Sequence, residues 1–320
     1  MHFIFFTNNI LKYTYCFANL NVIIYKNQRK KEQGIGENMN NIFVTSNGEL
    51  KEKGNESCCY KMVWHEEFDG NKLDDKKWVL RRDMRERPDM NLSDESNNKV
   101  MNVSDSELKL NAIKNDEKSE FPYTTCYSVT TFDRMHFKYG FLEMRAKVPY
   151  KHGSWPSFWM KSRPGDLYKI GNRDFFAEVD IFEIFSSRNK TVPNIHKWYT
   201  DGKHTQAGCK SPWVFENCEN ISNEYHNYGF LWTEKEMTFY VDRIKYYSFD
   251  LTKSYDDDPD MKSFHDPMFI IINNHLFTPL SAWKPEGATV DENSEFPMEY
   301  WIDWIRLYQN DDSCELYLKQ

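Results

Sequence analysis

From Phe141 to Val148 the chain reads Phe-Leu-Glu-Met-Arg-Ala-Lys-Val, with polar and apolar residues alternating, which is the mark of a strand with one buried face. Met237-Thr238-Phe239-Tyr240-Val241 and Ile244-Lys245-Tyr246-Tyr247 flank Asp242-Arg243, a spacing that predicts a hairpin with a two-residue turn. Met298 to Tyr308, carrying Trp301, Ile302, Trp304, Ile305 and Leu307, predicts a closing core strand. No long stretch keeps a helical period, and no internal repeat is visible. The pattern from Tyr60 onward predicts two packed antiparallel sheets built from many short strands.

One segment departs from ordinary strand composition. Glu178-Val179-Asp180-Ile181-Phe182-Glu183 sets three carboxylates among strand-favouring residues, although strands are depleted in acids. Alternation puts Glu178 and Asp180 on one face and Glu183 on the other. A β-bulge among Val179 to Phe182 shifts the register by one and brings Glu183 to the face of the other two. A solvated edge strand and a helical turn with outward acids are the alternatives. The flanking Phe175-Phe176 and Ile184-Phe185 favour the middle of a packed sheet.

The length of 320 residues admits one large β domain or two ordinary ones. Aromatic residues, at 16%, suit β-structure and surfaces that stack on flat ligands. The net charge of −8 excludes a nucleic-acid partner, since no basic excess neutralises phosphates. Seven cysteines show no Cys-x-x-Cys pair; Cys209 and Cys218 are the nearest plausible bridge, with free thiols the alternative. No His-Glu-x-x-His motif points to a catalytic zinc. Residues Phe3 to Tyr25 are largely apolar but interrupted by Asn8, Asn9, Lys12, Asn19 and Asn21; no basic stretch or small-residue cleavage site frames them as a signal peptide, and as a spanning helix they are a poor match. A weak anchor ahead of the basic Lys26 to Lys31, a tail, or sequence upstream of a start at Met39 remain open. Residues from Lys31 to about Ser57 read as linker.

Several blocks, in order, resemble glycoside hydrolase family 16 over roughly residues 62 to 309. They are Val63-Trp64-His65-Glu66-Glu67-Phe68-Asp69-Gly70 with Trp78, Tyr139 to Pro149 leading into Gly153-Ser154-Trp155-Pro156-Ser157-Phe158-Trp159-Met160, Tyr225 to Thr233, and Met298 to Tyr308. The acidic segment is similar to that family's bulged Glu-x-Asp-x-x-Glu signature. The resemblance implies an all-β, concanavalin A-like jelly roll of two curved antiparallel sheets with a concave cleft, a catalytic domain over residues 59–310, and tails at 1–58 and 311–320.

The same resemblance implies a retaining endo-glycosidase in which Glu178 is the nucleophile, Glu183 the acid/base and Asp180 the residue between them. Retention needs two carboxyl groups about 5 to 5.5 Å apart, and like charges so close hold one proton between them. Trp155 and Trp159 are candidate sugar platforms, with core packing as the alternative. His196, Asn98, Arg134 and Asn273 are further candidate substrate contacts. Glu67 and Asp303 match positions that hold a structural calcium in many relatives; no cofactor is otherwise required. A β-1,3- or mixed-linkage glucan is the expected substrate. The missing glycine pair in Ile270 to Phe277, and the arginines between Arg81 and Asp94, leave a sulfated galactan or mucin-type glycan as the alternative. A non-catalytic carbohydrate-binding sandwich is the alternative of another class. The expectation is a monomer, extracellular by its polymeric substrate.

Overall fold

The computed structural model describes residues 42–44, 49–52, 55–82, 89–162, 175–186, 188–215, 218–253, 262–310 and 314–319. Strands make up nearly all of its regular structure. The main path of one sheet runs Ile42–Val44, Leu50–Glu52, Asn55–Glu66, Met298–Gln309, Gly140–Lys147, His226–Trp232, Glu236–Val241 and Ile244–Asp250. The other runs His204–Gly208, Asn194–Tyr199, Phe175–Glu183, Ser154–Ser162, Met268–Leu276, Met135–Lys138 and Glu315–Leu318, and from Met268–Leu276 it also branches to Ser128–Thr130 and Val79–Arg81. Pairing along both paths is antiparallel.

The alternating apolar positions meet between the sheets. Phe182 packs 4.2 Å from Tyr228 and 6.1 Å from Tyr300, which belong to the opposite sheet. Phe158 and Phe182, neighbours in their own sheet, are both fully buried. Each such aromatic pair adds about 0.5–1.5 kcal/mol beyond its area burial. The strand with the acids is therefore anchored from below.

The Asp242-Arg243 hairpin forms as the sequence predicts, with both residues at positive φ, 50° and 61°, the geometry a two-residue turn demands. Glu143 breaks the expected alternation, being fully buried within Gly140–Lys147. Arg243, lifted by that turn, donates Nε and Nη2 to its two carboxylate oxygens at 2.8 and 2.9 Å. Losing Arg243 would strand a buried carboxylate at a cost of about 3–5 kcal/mol.

The expected boundaries move. Among the described residues, Ile42–Val44 lies inside the segment read as linker and joins the first sheet through Leu50–Glu52. The expected C-terminal tail contains Glu315–Leu318, paired with Met135–Lys138 and tied by Lys138 Nζ to Glu315 at 2.7 Å. The readings made for Phe3 to Tyr25 lie outside the described residues. Among the described residues, a short helix, Cys218–Asn223, and a 3-10 turn, Lys262–His265, interrupt the β pattern. Cys209 carries a free thiol.

Candidate active site

The predicted bulge is present. In the pairing of Ser154–Ser162 with Phe175–Glu183, Trp159 lies opposite Asp180 and Phe158 opposite Phe182, so Ile181 has no partner. Val179 and Phe182 point into the core, fully buried, and Glu178, Asp180 and Glu183 share the outer face. Glu178 faces Lys161 on one neighbouring strand and His196 on the other. Glu183 lies opposite Ser157, which in turn lies opposite Asn273.

Each acid has its own partners. His196 Nε2 is 2.9 Å from Asp180 Oδ2, while Trp155 donates its indole N–H to Glu183 Oε1 at 2.8 Å. The indole N–H of Trp198 lies towards Glu178 and favours its carboxylate, though outside hydrogen-bonding geometry. Burial raises the Glu178 carboxyl to about 7, helped by the charge of Asp180 and opposed by His196 and Lys161. Burial likewise raises Asp180 to about 7. Glu183 is pushed well above the usual carboxylate range by burial, then by Asp180 and Glu178, against the Trp155 hydrogen bond. Three acids so arranged do not all ionise at neutral pH. A shared proton is built into the site.

Glu178, Asp180 and His196 hold donor atoms within 4.8 Å of one another. Two of the three, Asp180 Oδ2 and His196 Nε2, are in direct contact at 2.9 Å. Glu67 and Asp303, expected at a calcium site, are turned to arginines instead. Arg306 donates two bonds to Glu67 at 2.8 and 2.9 Å, and Arg145 pairs with Asp303. Arg306 thus holds both oxygens of Glu67, and Arg145 holds one oxygen of Asp303.

The structure gathers some of the other candidates and not the rest. Asn273 accepts from Trp159 Nε1 at 2.8 Å and donates to Ser157 Oγ at 2.7 Å, so it lies in the acid face. Trp159 is half-buried there, with the Arg81 guanidinium 5.9 Å from its ring centre. One face of Trp155 is covered by Phe277, stacked at 4.5 Å, and the rings of Phe185 and Trp283 lie 6.4 and 5.8 Å away at steep angles. Trp155 thus serves as a hydrogen-bond donor in a packed aromatic cluster more than as an open platform. Arg134 spends its guanidinium on the carbonyls of Asp75 and Asp133. Asn98 sits on an exposed turn ahead of Met101–Ser104, whose partner strand belongs to the other sheet. Neither of these two is drawn to the acids.

Three features escaped the sequence reading. Trp283 is 55% exposed beside Trp155, Phe185 and Phe277, an aromatic surface at the Glu183 end of the face. His204 continues the contacts of His196 outward. Beyond Glu178, a cavity of about 440 Å³ is lined by Phe132, Phe176 and Phe269 with Arg81, Arg82 and Lys161. Arg82 is paired with Asp94 at 2.6 Å.

Comparison with known proteins is consistent with this arrangement. The sequence pattern of glycosyl hydrolases family 16 matches residues 89–304. Glucan endo-1,3-beta-glucosidase A1 of Niallia circulans is 24% identical over 270 residues, which is 78% of this chain and 38% of that protein. Endo-1,3-1,4-beta-glycanase ExsH of Rhizobium meliloti is 29% identical over 191 residues, 59% of this chain and 34% of that one. The chain thus spans about a third of the length of these relatives. The laminarinase catalytic domain of Thermotoga maritima superposes with a TM-score of 0.59 at 22% identity, covering 79% of this chain and 99% of that domain. That likeness shows the fold, a jelly-roll sandwich.

Proposed function

The chain belongs to glycosyl hydrolases family 16, and we propose that it is a retaining endo-glycosidase of a β-linked polysaccharide, with Glu178 as nucleophile and Glu183 as acid/base. The observation that carries this reading is the Ile181 bulge, which sets all three carboxyls on one face. A binding module gains nothing from gathering on one face three acids that resist ionisation. A double displacement uses them directly.

In the first step the Glu178 carboxylate attacks the anomeric carbon from below. The bond to the leaving oxygen breaks as Glu183 gives that oxygen its proton. Bonding of Glu178 to the sugar removes a negative charge beside Glu183 and Asp180, so Glu183 ionises more readily. It then takes a proton from water, whose oxygen attacks the same carbon and releases Glu178. The configuration is retained because the carbon is inverted twice. His196 holds Asp180 between the two glutamates, and Trp155 holds Glu183 in place.

A β-1,3- or β-1,3-1,4-glucan is the first substrate reading, supported by what the relatives are named for. The second is a galactan or mucin-type glycan carrying anionic groups, favoured by Arg81 and Lys161 among the residues that line the cavity with Phe132, Phe176 and Phe269. We expect the enzyme to work as a monomer, which light scattering on the eluted protein checks. The deciding experiment is a reducing-end assay on laminarin, lichenan, agarose, carrageenan and mucin glycans, with Glu178→Gln and Glu183→Gln alongside. Expected is release of reducing ends from one substrate class, lost in both variants while oligosaccharide binding persists. Binding by the wild type without release from any member of the panel would sink the enzyme reading.

A further inference from the structure

The hydrogen bonds of the acid strand do not stop at His196. His196 Nε2 meets Asp180, and its other nitrogen, Nδ1, lies 2.9 Å from His204 Nε2. His204 stands at the start of the edge strand His204–Gly208, directly opposite Trp198. Its ring stacks on that indole at 3.9 Å between centres and 14° between planes, and lies 5.2 Å and 18° from the ring of His196. Stacking on Trp198 sets the plane of the His204 ring so that Nε2 aims at His196. His204 itself is exposed, and water reaches the rest of its ring.

A neutral imidazole has one N–H and one bare nitrogen, so the bond made at one side decides what the other side offers. When His204 donates to His196 Nδ1, the proton of His196 must sit on Nε2, where it is given to Asp180. Asp180 is then satisfied as a carboxylate. When that donor is lost, the opposite tautomer becomes accessible, Nε2 presents a lone pair, and Asp180 is satisfied by keeping a proton. We propose that His204 is a positioning residue of this site: its ring N–H selects the His196 tautomer that holds Asp180 as the carboxylate beside Glu178. The proposal rests on the glycosidase reading only for its kinetic consequence.

The other groups near this path do not substitute for His204. Glu178 and Glu183 act on His196 as charges from the acid strand, and Lys161 acts on Glu178 from the strand beyond. Lys197, next to His196, is buried on the opposite face against Phe175. Lys203 lies over Tyr199.

Two variants separate the proposal from a merely structural role. His204→Leu keeps an apolar side chain against Trp198 and has no N–H, whereas His204→Gln restores an amide donor. Nitrogen-15 NMR of the imidazoles should find His196 protonated at Nε2 in the wild type and in His204→Gln, with the Nδ1-protonated form appearing in His204→Leu. The pH at which kcat/KM takes up the network proton should move upward in His204→Leu by about half to one unit, kcat should fall about 2- to 12-fold with little change in KM, and His204→Gln should recover most of it. An unchanged His196 tautomer and pH profile in His204→Leu, or a Gln variant as impaired as the Leu variant, would overturn it. If the wild type hydrolyses no glycan, the glycosidase reading fails while the tautomer signals still decide the role of His204.

Discussion

Trp155 and Glu183 are joined through a single hydrogen bond, Nε1 to Oε1 at 2.8 Å, from adjacent strands of one sheet. The bond favours the carboxylate and opposes the burial and the neighbouring acids that hold a proton on Glu183. Trp155→Phe keeps the stack on Phe277 and removes the donor. Glu183 should then keep its proton to higher pH, which moves the basic limb of kcat/KM upward. The step that needs Glu183 as a base should slow, lowering kcat about 2- to 12-fold. pH–rate profiles of the two proteins check this; a basic limb that stays in place would rule it out.

The same network has a signature in stability. Glu178 is raised from 4.5 to about 7 and Asp180 from 3.8 to about 7, both chiefly by burial. The native state binds these protons more tightly than the unfolded chain, so the contribution to stability is complete below the ordinary carboxylate values. It is lost as pH rises towards about 7 and is flat above that. Asp94 runs the other way, lowered to about 2 by Arg82; its contribution is present above 3.8 and lost below that, outside the window in question. Urea unfolding between pH 4.5 and 7.5 should therefore show this decline set against the opposite contribution of His196 and His204, whose lowered pKa values add stability as pH rises to 6.5. Glu178→Gln should flatten the decline, and an equally steep decline in that variant would exclude the carboxyl as its source.

The bulge was legible because strand parity is strict: two glutamates five apart cannot share a face without an extra residue, and Phe175, Phe176, Ile184 and Phe185 mark the strand as packed. The hairpin at Asp242-Arg243 was legible for the same reason, from two alternating runs two residues apart. What alternation does not carry is the partner across the fold. Glu143 reads as outward until Arg243, a hundred positions later, reaches it from a turn. Trp155 reads as a platform until Phe277 covers one face. His204 sits at no fixed spacing from the acids and enters the site only because its strand lies beside that of His196. The edge strands at Ile42–Val44 and Glu315–Leu318 were hidden by the charged and polar residues around them, a composition that edges share with linkers.

Gly153 supports the Trp155 end of the face through its backbone. Its φ is +91°, and a Cβ built there would lie 2.1 Å from Val290 Cγ1 and 3.0 Å from the Val290 backbone. Its N–H donates to Ser186 Oγ at 2.8 Å, its carbonyl accepts from Phe277 N, and Val290 N donates to the carbonyl of Phe277. These bonds lock together the segments bearing Trp155, Phe277 and Phe185. Gly153→Ala combines a strained backbone with a clash, each at about 1–3 kcal/mol, so the variant should lose about 2–6 kcal/mol in urea unfolding. Adding Val290→Ala removes the Cγ1 contact but not the strain of positive φ. The double variant should therefore recover less than the single change costs, after correction for Val290→Ala alone. Full recovery would show that the side-chain clash is the whole effect, and no loss in Gly153→Ala would show that the loop relaxes freely around position 153.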